Sequence, residues 1–124
     1  MSMIEKEYII EVENLPGYIK VVLSKAKAPT ILSELERHLP ISSTIFYREG
    51  MVYLHLGIRK GARGKTTISK EGMVVYDVLQ DSLGICLESK ELPGSRYVEV
   101  GYVSEGLDLV KSIKRRYKAL IRRA

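Results

Sequence analysis

Two stretches of the chain hold the side chains with the most chemical capacity. The first is Phe46-Tyr-Arg48, followed by Glu49-Gly50 and then Met51-Val-Tyr-Leu-His-Leu56. A guanidinium, an imidazole and aromatic rings lie close together there. A tyrosine on a strand, such as Tyr53, could stack on a base or on a proline ring. The second is Gly61-Ala-Arg-Gly-Lys-Thr66, preceded by Arg59 and Lys60. A phosphate-binding loop needs G-x-x-x-x-G-K-[ST] between a strand and a helix. Here two residues separate the glycines, Arg59 stands where the first glycine belongs, and Thr66-Thr-Ile68 is strand-like. The spacing therefore argues against nucleoside triphosphate hydrolysis. It leaves Arg59, Lys60, Arg63 and Lys65 as candidates for contact with an anion or with nucleic acid.

Other chemistries find little support. His38 and His55 are the only histidines and have no Cys or carboxylate at metal-ligand spacing. No metal and no cofactor are expected. No serine sits in a G-x-S-x-G elbow. Glu11/Glu13 and Glu34/Glu36 are spaced as on solvent-facing surfaces rather than as an acid–base pair. Cys86 is the only cysteine, which excludes an intrachain disulfide, and its setting in Leu83-Gly-Ile-Cys-Leu87 reads as a small buried hydrophobe. Eight tyrosines, one phenylalanine and no tryptophan leave two readings open: strand residues at a core edge, or rings that stack on a ligand.

The elements that must position these groups are mostly strands. Tyr8, Ile10 and Val12 alternate with acids from Ile4 to Glu13, the period of a half-buried strand. Asn14-Leu-Pro-Gly17 turns the chain into a second strand, Tyr18 to Leu23. Pro29 opens a helix of about ten residues with Ile31, Leu32, Leu35 and Leu39 on one side, and Pro40 ends it. Ser43 to Arg48 and Met51 to Leu56 form a hairpin across Glu49-Gly50. Thr44, Phe46 and Arg48 share one face. Met51, Tyr53 and His55 share another, opposite to Val52, Leu54 and Leu56. Gly57 to Gly72 is irregular, and such long segments are often functional. Strands come next at Met73 to Val78 and Leu83 to Glu88. Another starts at Tyr97 with Val98, Val100 and Tyr102 on one face. Ser104 is placed to cap a helix carrying Leu107, Val110 and Ile113. Gly106 within it implies close approach of another backbone. A last strand covers Arg116 to Arg122. Eight strands and two short helices describe a small antiparallel barrel or sandwich.

The chain has 124 residues, 45% apolar and 28% charged, which suits one domain over residues 1–124. No apolar run of 18 residues occurs and the N-terminus lacks a signal-peptide pattern, so a cytoplasmic protein with no membrane partner is expected. The net charge is +5. The region up to residue 110 is slightly acidic, and Lys111, Lys114, Arg115, Arg116, Lys118, Arg122 and Arg123 come after the last acid, Asp108. The basic tail reads first as the solvated side of a last strand, with an anionic surface as the other reading.

Gly101-Tyr-Val-Ser-Glu-Gly-Leu-Asp-Leu-Val-Lys-Ser-Ile113 resembles the late G-x-V-x-E-G-L-D-x-V-x-x-I segment of cyclophilins. In length and element order the chain is similar to small prokaryotic cyclophilin-like domains. The resemblance implies a closed eight-stranded antiparallel barrel with a short helix capping each end. It also implies a site at the hairpin. In cyclophilins, which are peptidyl-prolyl cis/trans isomerases, an Arg in F-H-R-V-I-x-x-F-x-x-Q-G-G polarises the prolyl amide. The nearest match is Phe46-Tyr-Arg48, with Arg48 at the catalytic position, Tyr53 at the pocket Phe, Leu56 where Gln belongs, and only Gly57 after it. The expectation is a domain that binds a peptide or small ligand through Phe46, Tyr53, His55 and Leu56, with weak or no isomerase activity. The alternatives are an active isomerase using Arg48, and a nucleic-acid-binding module using the basic loop and tail.

Overall fold

The computed structural model describes residues 5–61 and 66–124. The sequence-predicted contacts Arg63 and Lys65 lie outside the described residues. Eight antiparallel strands close into a barrel: β1 (Glu5–Val12), β2 (Ile19–Ser24), β3 (Ile41–Arg48), β4 (Met51–His55), β5 (Met73–Asp77), β6 (Ser82–Cys86), β7 (Tyr97–Glu105) and β8 (Tyr117–Arg123). Around the wall they run β1-β2-β7-β5-β6-β4-β3-β8. Closure leaves no exposed strand edge. The β3–β4 hairpin turns through Glu49 and Gly50, both at positive φ (49° and 86°), the conformation of a two-residue turn that matches the strand twist.

Period-2 alternation fills the barrel. Tyr8, Ile10 and Val12 point inward, as do Val52 and Leu54, and on β8 Ala119 and Ile121. Lys118, Arg122 and Arg123 face solvent on the same strand, so the basic tail is in part the wet side of a wall strand. Helix α1 (Pro29–His38) adds Ile31, Leu32 and Leu35 to this core. It stops where Leu39, preceding Pro40, turns extended. Helix α2 (Leu107–Lys111) adds Val110. α1 comes after the end of β2, and α2 after the end of β7, which pairs with the start of β2. The helices therefore sit at opposite mouths.

Two expectations change in β7. Ser104 does not cap α2. It lies within the strand, where its hydroxyl donates to the carbonyl of Lys20 at 3.3 Å. Gly106 precedes α2 at φ 88°, and a Cβ there would lie 2.4 Å from the Tyr18 carbonyl oxygen. The close backbone approach is thus real, but it fixes the entry to the helix rather than its body. Tyr102 does not share the face of Val98 and Val100. The pairing of β5 with β7 jumps from Val74–Gly101 to Val75–Glu99, so Val100 is an extra residue. Such a bulge reverses the facing of the residues beyond it. Val103 packs on the core, while Tyr102 is 47% exposed.

α1 is tied to the wall by Glu36, whose carboxylate accepts from Lys6 Nζ at 2.7 Å and Arg123 Nε at 2.8 Å. The Lys6 contact foremost, and then Arg123, hold this carboxyl below the usual carboxylate range. Tyr8 lies nearby, fully buried, its hydroxyl without a hydrogen-bond partner among the described residues. Burial, with the Glu36 charge, pushes its pKa up to about 12. Because the folded pKa of Glu36 lies below its unfolded value, its contribution is present above the ordinary carboxylate pKa and is lost as pH falls through the folded one. Glu36→Gln is expected to lower the Tm by a few degrees at pH 7. That difference should shrink as pH drops below about 4.5. Thermal melts of both proteins from pH 7 to pH 3 check it; a constant difference would count against the assignment.

Candidate functional site

A second apolar cluster lies on the outside of the wall. Met51 and Tyr53 of β4, Val75 of β5, Cys86 of β6, and Tyr97 and Leu92 are all buried there. They alternate with the residues that face the core. The segment before β5 covers them by binding the segment before β7: Ser69 N donates to Lys90 O at 2.9 Å, Leu92 N to Thr67 O at 2.7 Å, and Thr66 N to Tyr97 O at 3.0 Å. The described parts of the long irregular segment thus serve as a cover. Cys86 belongs to this cluster, and burial pushes its thiol up to about 12, which leaves it unreactive.

Where the cover ends, the outer wall opens into a recess of about 380 Å³. β3 supplies Thr44, Phe46 and Arg48; His55 ends β4; Gln80 comes from the β5–β6 turn and Ser82 starts β6; Arg116 arrives from the connection between α2 and β8. The Arg116 guanidinium lies 4.7 Å above the Phe46 ring, a cation–π contact. On its other flank Phe46 stacks on Tyr53, with centroids 5.7 Å apart. The Tyr53 hydroxyl is 3.3 Å from that of Tyr97, and burial raises its pKa. A neighbouring recess holds His55, Gly57, Arg59, Lys60, Gln80 and Asp81 among its lining residues. The two share His55 and Gln80.

The β5–β6 turn that forms one wall of both recesses is held from below. Asp77, fully buried, binds the Arg96 guanidinium through both oxygens at 3.0 and 2.8 Å. Its Oδ1 also accepts from the amides of Leu79 and Gln80. Asp81 Oδ1 accepts from the Tyr76 hydroxyl at 2.7 Å and the Arg59 amide at 2.9 Å. The Lys60 amide donates to the same Tyr76 oxygen. Burial and the Asp81 charge raise the Tyr76 pKa. This network fixes the start of the basic loop against the turn.

Several cations on the barrel are paired, such as Lys20 with Glu105, Lys27 with Glu99, Lys111 with Glu71 and Arg122 with Glu11. Arg48, Arg59, Lys60 and Arg116, which line the two recesses, have no carboxylate within 4.0 Å among the described residues. The site is therefore a shallow basic cleft with one aromatic ring and an imidazole. No group of three or more potential metal ligands occurs among the described residues.

Of the residues expected from sequence, Phe46, Arg48 and His55 come together in one recess, and Arg59 and Lys60 line the next. Tyr53 stands behind Phe46 at 6% exposure, within the second cluster. Leu56 is taken out of the cleft by strand alternation: it is 4% exposed in the main core. No sequence pattern singles out Gln80 and Ser82 as site residues, and Arg116 is marked only as one cation of the basic tail. The pairing of β4 with β6, which sets His55 opposite Ser82, carries no local sequence signal.

No family model matches the chain, and no curated protein matches it. Solved structures do. The hypothetical protein AF2241 from Archaeoglobus fulgidus superposes with a TM-score of 0.78 at 19% identity over the whole of both chains. McbB, solved in complex with tryptophan, gives 0.68 at 20% identity over 94% of this chain and 44% of its own. At these identities the likeness is one of fold: a closed eight-stranded barrel. Among the described residues, no helix is long and apolar enough to cross a membrane.

Proposed function

We propose that this barrel is a cyclophilin-like binding module that takes a small acidic ligand, or the acidic end of a peptide, in the recess around Phe46, without efficient prolyl isomerase activity. The observation that carries the reading is that Arg48 and Arg116 line one recess with the Phe46 ring and have no carboxylate partner of their own among the described residues. A ligand carboxylate would supply it. Such charge-assisted hydrogen bonds are stronger than neutral ones. Phe46 and His55 would lie against an apolar or flat part of the same ligand. McbB was solved with tryptophan, which joins a carboxylate to a flat ring, so tryptophan is the first probe. An isomerase needs an open apolar pocket for the proline ring, and the apolar side chains expected to form it are occupied elsewhere. Tyr53 is enclosed by Phe46, Tyr97 and Met51, and Leu56 belongs to the core.

Titration of the 15N-labelled protein with tryptophan is expected to shift amides of β3, β4 and the β5–β6 turn. Arg48→Ala and Arg116→Ala should each weaken binding about tenfold or more, the equivalent of losing one charge-assisted hydrogen bond. Shifts unaffected by either substitution would rule out this recess. In a coupled proline-isomerisation assay the protein should show little turnover. Turnover comparable to cyclophilins, abolished by Arg48→Ala, would overturn the reading in favour of an active isomerase.

A further inference from the structure

The connection between α2 and β8 shows a pattern that a small acidic ligand does not explain. Lys114, Arg115 and Arg116 are three consecutive exposed cations, and each sits on a different ring. Lys114 Nζ is 5.6 Å from the centroid of Tyr47, Arg115 Cζ is 4.9 Å from that of Tyr117, and Arg116 Cζ is 4.7 Å from that of Phe46. The register explains how one short segment reaches all three. Tyr47 is opposite Val52, and Tyr117 is opposite Ile45. Both partners face the core, so these tyrosines stand on the inner side at the barrel rim, by the mouth that carries α2. Phe46 is on the outer side of the same wall. The connection folds over the rim and lays a cation on each ring.

None of these three cations has a carboxylate within 4.0 Å among the described residues. Arg116 also lines the first recess together with Arg48, and the adjoining recess, which shares His55 and Gln80 with it, holds Lys60 and Arg59. Asp81, the acid of that cleft, is engaged by the Tyr76 hydroxyl and the Arg59 amide. The result is a strip of cations interleaved with aromatic rings and an imidazole. Flat guanidinium groups over rings offer planar surfaces to bases, and the ammonium and guanidinium charges suit a phosphate chain passing beside them. A double helix keeps its bases stacked inside and cannot present their faces to such a strip.

We infer that this strip, from Lys114 at the rim to Arg59 in the cleft, binds single-stranded nucleic acid. Binding does not depend on the small-ligand reading of the recess, although Arg48 and Arg116 belong to both. With roughly four to six phosphates neutralised, log K should fall with log salt at a slope of about −3 to −4.

The test is fluorescence anisotropy with a labelled oligo-uridine and oligo-thymidine, each about twelve nucleotides long, from low to moderate KCl. The corresponding duplex and inorganic polyphosphate serve as comparisons. The single strand is expected to bind more tightly than either. The double variant Lys114→Gln/Arg115→Gln leaves both recesses intact and should weaken oligonucleotide binding about tenfold or more. It should reduce the salt slope by about 1.4 for two lost phosphate contacts, and leave tryptophan binding unchanged. Arg48→Ala should weaken both ligands. Lys20→Gln/Lys27→Gln, on paired cations elsewhere, should change neither. Circular dichroism confirms that each variant is folded. Duplex or polyphosphate bound as tightly as the single strand, or oligonucleotide binding insensitive to the double variant, overturns the inference. Tryptophan binding without oligonucleotide binding overturns it and spares the proposed function; the converse result does the reverse.

Discussion

Asp77→Ala is expected to destabilise the protein by about 3–5 kcal/mol, the usual effect of removing one member of a buried ion pair. The carboxylate is fully buried and satisfies four donors: two on Arg96 and the amides of Leu79 and Gln80. Arg96 in turn lies over the Tyr97 ring at 5.0 Å, and its pKa is raised by the Asp77 hydrogen bonds first, with burial acting only in the opposing sense. Truncation strands the amides of the β5–β6 turn and leaves the guanidinium, 27% exposed, without its acid. Asp77→Asn keeps an acceptor for the amides but loses the charge, so it should fall between alanine and wild type. Denaturant unfolding of the two variants, and of Arg96→Ala with the double variant, measures the coupling. A loss below about 1 kcal/mol for Asp77→Ala would mean that the pair is incidental. Because this turn carries Gln80 and leads into Ser82, the alanine variant should also weaken tryptophan binding more than a stability loss alone predicts.

The barrel itself is largely legible from the chain. Alternation in β1 and β8, the Glu49-Gly50 turn and the helical spacing after Pro29 are local signals, and each survives in the structure. Bulges are different. Nothing in Val98 to Tyr102 announces that Val100 is an extra residue, because a bulge is set by the partner strand's register. Alternation alone therefore puts Tyr102 on the wrong face, and Ser104, with the spacing of a cap, serves the β2–β7 seam instead.

The candidate site is legible only on one side. Phe46, Arg48 and His55 can be found because a hairpin is a local structure whose faces are read by counting. Leu56 belongs to the other parity and goes to the core. The opposite side of the cleft comes from Gln80, Ser82 and Arg116, brought in by pairings of β6 with β4 and of β8 with β3. Such long-range register is not written in any window of sequence. The meaning of the basic tail also depends on it. β8 turns Arg122 toward Glu11 and Arg123 toward Glu36, while Lys114 to Arg116 lie over rings with no carboxylate beside them among the described residues. A single count of tail charges does not separate those two groups.

Gly101→Ala should be among the most damaging single substitutions, at about 3 kcal/mol or more, the upper range for overpacking. A Cβ on residue 101 would lie 1.8 Å from the carbonyl oxygen of Val22 and 2.9 Å from the Cα of Leu23. Those are backbone atoms of the neighbouring strand, so no rotamer change relieves the contact; β7 must move off β2. Gly101 pairs with Leu23 on one side and Val74 on the other, and displacement therefore strains both seams of a closed wall. Closure makes this worse than in an open sheet, where an edge could swing away. Gly17→Ala is the control. Its φ of 85° carries the left-handed penalty, but nothing lies within 4 Å of the added Cβ, so it should cost about 1 kcal/mol. Unfolding curves of the two variants separate steric collision from backbone strain. Equal losses would show that the β2–β7 seam yields, and that the glycine at 101 answers a conformational need rather than the contact of two backbones.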